Sequence, residues 1–155
     1  MKIIVFSDSH GLTDAMQKTV ISERPDAVIH CGDYAKDAEY LRNKNSGLPV
    51  YYVSGNCDYI GRCDEEMEFV LCGKKFFITH GHRYGVKRDY QSLAYAGAER
   101  GADIVVCGHT HIPLFEEYEN MYIINPGSIT FGRKTYGLIE LDGENFHYTL
   151  KRLAE

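Results

Sequence analysis

Five short apolar runs in this 155-residue chain each close on a polar string rich in small residues and lone-pair donors. Residues 2–7 lead into Asp8-Ser9-His10-Gly11, residues 27–29 into His30-Cys31-Gly32-Asp33, and residues 50–53 into Ser54-Gly55-Asn56-Cys57-Asp58. Residues 74–79 lead into His80-Gly81-His82, and residues 103–106 into Gly108-His109-Thr110-His111. Short continuous apolar runs are strands buried on both faces. Loops at the carboxyl ends of neighbouring strands in an α/β sheet converge, so donors distant in sequence meet in one crevice.

The intervening segments fit that frame. Leu12, Met16 and Val20 recur every fourth residue, which predicts a helix over 12–23, capped by Thr13 and stopped by Arg24-Pro25-Asp26. A second helix is expected over 35–42, giving a βαβα opening. Residues 66–71 and 74–79 read as a hairpin turning at Cys72-Gly73. A helix over 89–100, capped by Asp89 and ended by Gly101, precedes the strand at 103–106. The remainder is strand-like at 114–118, 122–125, 136–141 and 146–150, with turns at Glu119-Asn120, Pro126-Gly127 and Asp142-Gly143. The hairpin among βα units predicts mixed sheets, and 44% apolar with 25% charged residues suits one domain over residues 1–155.

Charge narrows the partners. The formal net charge is −5 and the cations are scattered, so a long nucleic acid finds no basic track. An anionic substrate would need local attraction, which bound divalent cations provide. No apolar run has the length of a membrane span, and Met1-Lys2 runs straight into a strand rather than a signal peptide. Five cysteines without a CxxC pair argue for a reducing cytoplasm over a disulfide framework or a zinc knuckle.

Imidazole, carboxylate and amide oxygen together suit borderline or hard divalent ions. Each fragment alone reads equally well as a cap or a turn; it is their succession at five strand ends that makes a site. The ordered set Asp8-x-His10, Gly32-Asp33, Gly55-Asn56-Cys57-Asp58, His80-Gly81-His82 and Gly108-His109-x-His111 resembles the calcineurin-like metallophosphoesterases. Within them it is similar to the compact bacterial and archaeal phosphodiesterase group with Gly-Asn-Cys-Asp, over Met1 to about Thr130. The resemblance implies an α/β fold, a four-layer αββα sandwich of two mixed β-sheets flanked by helices. It also implies two divalent metal ions, Mn²⁺ first and Ni²⁺, Fe²⁺, Zn²⁺ or Mg²⁺ as alternatives. One would be held by Asp8, His10, Asp33 and His111, the other by Asp33, Asn56, His80 and His109, with Asp33 as the bridge.

The activity so implied is hydrolysis of a small phosphodiester by a water activated between the metals. A phosphomonoesterase or pyrophosphatase is the alternative within the enzyme class, and a protein-binding module that has lost its ligands is the alternative outside it. Charge developing on the phosphoryl oxygens would meet the Asn56 amide or the His82 imidazole. Larger relatives carry a His after Gly-Asn that protonates the leaving group; here the position is Cys57. That leaves Cys57, His82 or a metal-held water as proton donor, with Asp58 orienting a neighbouring ligand. The arginines that grip a monoester dianion in protein phosphatases are missing after Asp33, where the chain reads Tyr34-Ala35-Lys36-Asp37, and Arg62 reads best as solvated. His30 reads as a packed or supporting histidine, His147 as outward-facing, and Asn125-Pro126-Gly127-Ser128 as structural support. The tyrosines, including Tyr51, Tyr52, Tyr118, Tyr122 and Tyr136, read as core or interface residues. Small relatives also suggest a homodimer or homotetramer.

Overall fold

The computed structural model describes residues 1–154. In chain order the elements are β1 (Lys2–Phe6), α1 (Thr13–Glu23), β2 (Ala27–His30), α2 (Ala35–Lys44), β3 (Val50–Tyr52), β4 (Glu66–Leu71) and β5 (Lys74–Thr79). They continue with a 3₁₀ turn (His82–Tyr84), α3 (Gln91–Glu99), β6 (Ile104–Val106), β7 (Leu114–Tyr118), β8 (Met121–Asn125), β9 (Thr135–Asp142) and β10 (Asn145–Arg152). All the strands and helices expected from the sequence form, with ends displaced by at most two residues.

The strands make two five-stranded mixed sheets, ordered β10-β9-β1-β2-β3 and β4-β5-β6-β8-β7. In each, three parallel strands sit beside antiparallel partners: β1, β2 and β3 in the first, β5, β6 and β8 in the second. Ile3, Val5, Ile29, Phe76, Ile78, Val106 and Ile124 fill the space between the sheets. The opposite faces of the same strands carry the other residues of each run: Ile4, Phe6 and Val28 pack under Met16 and Val20 of α1 and Leu41 of α2. Phe77, Val105 and Ile123 pack under Leu93, Ala94 and Ala96 of α3. This double burial explains why the strand runs show no polar alternation, and it creates the four layers. The sandwich edges are closed by aromatics, with Tyr51 stacked 4.0 Å from Phe69 at one side and Tyr122 stacked 4.5 Å from Phe146 at the other. No helix among the described residues is long and apolar enough to cross a membrane.

Two capping expectations fail. Thr13 is already inside α1, whose N-cap is Leu12 with no side-chain capping bond. The turn before it is tied instead by Asp37, whose Oδ2 accepts the Gly11 amide at 2.7 Å. Asp89 likewise does not cap α3, whose N-cap is Tyr90; its Oδ1 accepts the amide of Gln91 at 3.0 Å, a local turn one residue early. The Cys72-Gly73 turn forms as read, with both residues at positive φ.

Glu23, at the end of α1, fastens that helix to the first sheet. Its Oε1 accepts from Tyr136 at 2.9 Å and from Lys151 at 2.6 Å, and its Oε2 lies 2.9 Å from Lys2 Nζ. The Lys151 and Lys2 ammonium groups hold its carboxyl down to about 2, below the reference 4.5. Because the folded value is depressed, the stabilisation is complete above pH 4.5 and is lost as pH falls toward 2. Glu23→Gln should cost about 1–2 kcal/mol at pH 7. The gap from wild type in urea unfolding should narrow between pH 4.5 and 2; a pH-independent gap would refute the ionic contribution.

Candidate metal centre

The donors stand on backbone that ordinary side chains avoid. Asp8 (φ 53°), His10 (φ 43°), Asp33 (φ 58°), His109 (φ 69°) and His111 (φ 60°) all occupy the left-handed region. Such conformations cost on the order of 1–3 kcal/mol each and persist only where the surroundings impose them. Here the imposition comes from tight backbone approach. A Cβ on Gly55 would fall 2.2 Å from Asp33 Oδ1, and one on Gly108 would fall 1.9 Å from Ser7 Oγ and 2.7 Å from Asp8 Oδ2. The glycines beside Asn56 and His109 are therefore needed for space, and they let the neighbouring loops close on the two carboxylates.

Asp8 is fully buried and Asp33 nearly so. Asp8 Oδ2 accepts from Ser7 Oγ at 2.5 Å and from the His109 amide at 3.1 Å; Asp33 Oδ1 accepts the Cys57 amide at 2.9 Å. Donor atoms of Asp8, His10 and His111 lie within 4.8 Å of one another, as do those of Asp8, Asp33 and His80. Asp8 Oδ1 is 3.2 Å from His111 Nε2 and 3.8 Å from His80 Nε2. Asp33 divides its oxygens, Oδ1 lying 3.4 Å from His80 Nε2 and Oδ2 3.8 Å from His10 Nε2. Thus Asp8 is common to the two trios, while Asp33 faces a histidine from each.

The imidazoles are prepared to ligate. His80 Nδ1 lies 2.7 Å from the Cys31 carbonyl, which only accepts, so Nδ1 carries the proton and Nε2 presents a lone pair to the carboxylates. Burial pushes His80 down to about 4, and burial also lowers His109 and His111, so the rings are neutral at physiological pH. Burial, helped by the neighbouring Asp33 charge, raises Asp8 to about 7. Burial acts to raise Asp33 as well, but His80, in the acid range where its ring is protonated, and the Cys57 amide outweigh it and leave Asp33 below its usual value. His10 Nε2 and His80 Nε2 are buried with no hydrogen-bond partner. Buried polar nitrogens without partners are costly, and neutral imidazoles aimed at two carboxylates are what a divalent cation requires. The residues fit such ions.

The remaining sequence candidates surround this centre. The His109 ring lies 5.0 Å from that of His80 and outside both trios. His82, in the 3₁₀ turn, places its ring 5.5 Å from His80 and 6.0 Å from His109, and its Nδ1 is buried without a partner. Asn56 is exposed at the rim, its Nδ2 3.6 Å from Cys57 Sγ. Burial and Asp33 push the Cys57 thiol up to about 11. Asp58 acts on backbone: its two oxygens accept the amides of Ala35 and Gly55, both at 2.8 Å, and so shape the loops that carry Asp33 and Asn56. Arg62 is not free in solvent but paired with Glu39 at 2.7 Å.

Among the supporting residues, His30 and the Asn125-Pro126-Gly127-Ser128 segment were expected, whereas the roles of Ser9, Asp37, Tyr34 and Phe131 escaped the sequence reading. His30 Nδ1 accepts the Gly32 amide at 3.2 Å, so Nε2–H donates to Ser9 Oγ at 2.8 Å, and Ser9 donates to Asp37 Oδ2 at 2.7 Å. This relay joins the tips of β1 and β2 to α2. Ser128 Oγ donates to the Asp8 carbonyl at 2.9 Å, and Asn125 Nδ2 donates to the Gly108 carbonyl at 2.9 Å, so the Asn-Pro-Gly-Ser segment does support the centre. Phe131 stacks on His111 at 5.0 Å and meets His10 at 4.9 Å, while Tyr34 meets His10 from another side at 4.8 Å. Only the position of Asp37, four residues after Asp33, offered a signal.

A two-sheet sandwich with carboxylates and imidazoles on adjoining strand tips defines a class of proteins with a candidate metal-ligating centre. Residues 1–144 match the Calcineurin-like phosphoesterase superfamily domain, and the chain belongs to that superfamily, whose members use divalent metals. It is 34% identical over 153 residues to the probable metallophosphoesterase YsnB of Bacillus subtilis, covering 93% of this chain and 86% of that protein. A solved archaeal phosphodiesterase shares 28% identity at a TM-score of 0.77, covering 97% of this chain and all of that one. A Vps29 single mutant from Entamoeba histolytica superposes at a TM-score of 0.81 with 22% identity, covering 97% of this chain and 91% of that one, which is a likeness of fold.

The packing at Gly108 yields a direct test. Gly108→Ala should displace Ser7 and Asp8 and lower stability by about 1–3 kcal/mol, the usual range for overpacking. Thermal unfolding matching wild type would show that the cradle is not tight.

Proposed function

We propose that the chain hydrolyses a small phosphodiester with two divalent cations, one held by Asp8, His10, Asp33 and His111 and the other by Asp33, Asn56, His80 and His109. The observation that carries this reading is the pair of buried carboxylates faced by histidines whose Nε2 atoms, in His10 and His80, have no other partner. Asp33 is the proposed bridge, supported by the division of its oxygens between His80 and His10. When bound, such ions polarise the phosphoryl oxygens and make water acidic enough to attack near neutral pH. Mn²⁺ is the proposed first choice for a mixed nitrogen and oxygen donor set.

The protein's own contribution is placement. The Cys31 carbonyl fixes the His80 tautomer, and the Ser9, His30 and Asp37 relay fixes the loops that present Asp8, His10 and Asp33. Asn56, exposed after β3, and His82, in the 3₁₀ turn, offer an amide and an imidazole to the phosphoryl oxygens. The leaving oxygen would take its proton from the Cys57 thiol, the His82 imidazole or a metal-held water; the raised value of Cys57 makes it a weaker acid than an ordinary thiol. Preference for a diester over a monoester is supported by Arg62, whose charge is committed to Glu39 and not offered to a phosphate dianion. The whole chain would act as one catalytic domain in the cytoplasm, a setting consistent with five free thiols.

Metal-stripped protein reloaded in turn with Mn²⁺, Ni²⁺, Zn²⁺ and Mg²⁺ should turn over bis(p-nitrophenyl) phosphate faster than p-nitrophenyl phosphate. Faster monoester turnover would reverse the preference. No turnover of either with two ions bound would overturn the enzyme reading in favour of a protein-binding module. Asp33→Asn should lower metal content from two ions to one or none by elemental analysis. It should also reduce turnover by more than roughly a hundredfold, beyond the loss typical of outer-shell partners. Retention of two tightly held ions would refute the bridge.

A further inference from the structure

Beside His10 the surface sinks into a recess of about 170 Å³ lined by Tyr34, Lys36, Cys57, Asp58, Tyr59 and Arg62. Tyr34 directly follows Asp33 and its ring lies 4.8 Å from that of His10, so the recess adjoins the candidate metal centre. Cys57 brings in the loop of Asn56 from the other side.

The charges lining this recess are not equally available. Asp58 spends both oxygens on the Ala35 and Gly55 amides, and Arg62 is paired with Glu39 at 2.7 Å. Lys36 is exposed and sets its Nζ 4.8 Å over the Tyr34 ring, and among the described residues no carboxylate forms an ion pair with it. Tyr59 leaves its ring in water, 84% exposed. What remains for a ligand is two aromatic faces and one ammonium group. A volume of about 170 Å³ is well below the roughly 300 Å³ at which whole-ligand pockets begin, and suits a single ring system whose phosphate lies outside it.

We propose that this recess binds a planar aromatic substituent of the phosphate ester, a nucleobase or a phenyl ring, stacked on Tyr34 and Tyr59 with Lys36 donating to an oxygen on the ring's edge. The proposal rests on the phosphodiesterase reading for the reaction but not for the binding. The single-ring volume offers no track for successive bases of a polymer, and an aliphatic substituent would leave the tyrosine faces and the Lys36 donor unused. Tyr34 also packs on His10, so its truncation would mix two effects, whereas Tyr34→Phe keeps the ring.

The test uses metal-loaded protein and three diesters with a common p-nitrophenolate leaving group: thymidine 5′-(p-nitrophenyl phosphate), bis(p-nitrophenyl) phosphate and methyl p-nitrophenyl phosphate. The aromatic esters should exceed the methyl ester in kcat/KM, chiefly through KM. Lys36→Ala and Tyr59→Ala should each cut that ratio by roughly fivefold or more, the scale of a lost stacking contact, while Tyr34→Phe preserves it. The thymidine and nitrophenyl arms separate a nucleobase from a simple phenyl occupant. A ratio unchanged in both alanine variants overturns the recess. Calorimetry gives a second readout: thymidine 5′-phosphate should bind tighter than methyl phosphate, with the advantage lost in Lys36→Ala and Tyr59→Ala. Equal affinities overturn the recess even where nothing is hydrolysed, whereas failure to turn over any of the three diesters overturns only the diesterase reading.

Discussion

Two carboxylates buried side by side govern this structure. Asp8 and Asp33 offer oxygens within 4.8 Å of each other and of His80, in a place that water barely reaches. Two like charges in such a site repel strongly and lose hydration, and burial with the neighbouring Asp33 charge is what raises Asp8. The surrounding hydrogen bonds offset only part of this, because they satisfy Asp8 Oδ2 and Asp33 Oδ1 and leave the other oxygens turned toward imidazole nitrogens. A chain selected only for stability would place a hydrophobic pair there. The arrangement makes physical sense as half of a binding equilibrium whose other half is positive charge.

The backbone obeys the same logic. Five donors adopt left-handed φ, although none is a glycine. Their strain is held by a sandwich whose strands are buried on both faces and cannot shift to relieve it. Gly55 and Gly108 complete the constraint by letting loops from different sheets touch the carboxylates. Stability thus flows from the layers, where it is abundant, to the strand tips, where it is consumed in geometry.

Much of the architecture was legible in the sequence because it depends on local signals. The strand runs are continuous apolar segments, and Cys72-Gly73 is a turn for reasons internal to the hairpin. The donors were legible because their types and their positions at run ends coincide. What stayed hidden was long-range. That Asp37 reaches back to Ser9 and Gly11, or that Asp58 holds the amides of Ala35 and Gly55, follows from how α2 sits against the first sheet, which no window of sequence contains. The caps failed for the same reason: Thr13 suits the cap position by type, but the tie to Asp37 had already fixed the turn. Tyr34 and Phe131 read as ordinary aromatics because only the fold brings them to His10.

Fold likeness alone does not distinguish an enzyme from a binding module, because one fold hosts many functions. The distinction lies in what the tips carry and what supports them. A surface used only for protein contact has no need to bury His10 Nε2 and His80 Nε2 without partners, to fix the His80 tautomer on the Cys31 carbonyl, or to hold five donors in strained backbone. Each feature costs folding free energy that a cation between Asp8 and Asp33 would offset. Their joint presence therefore argues for a cation site at these strand tips on grounds independent of the resemblance to known enzymes.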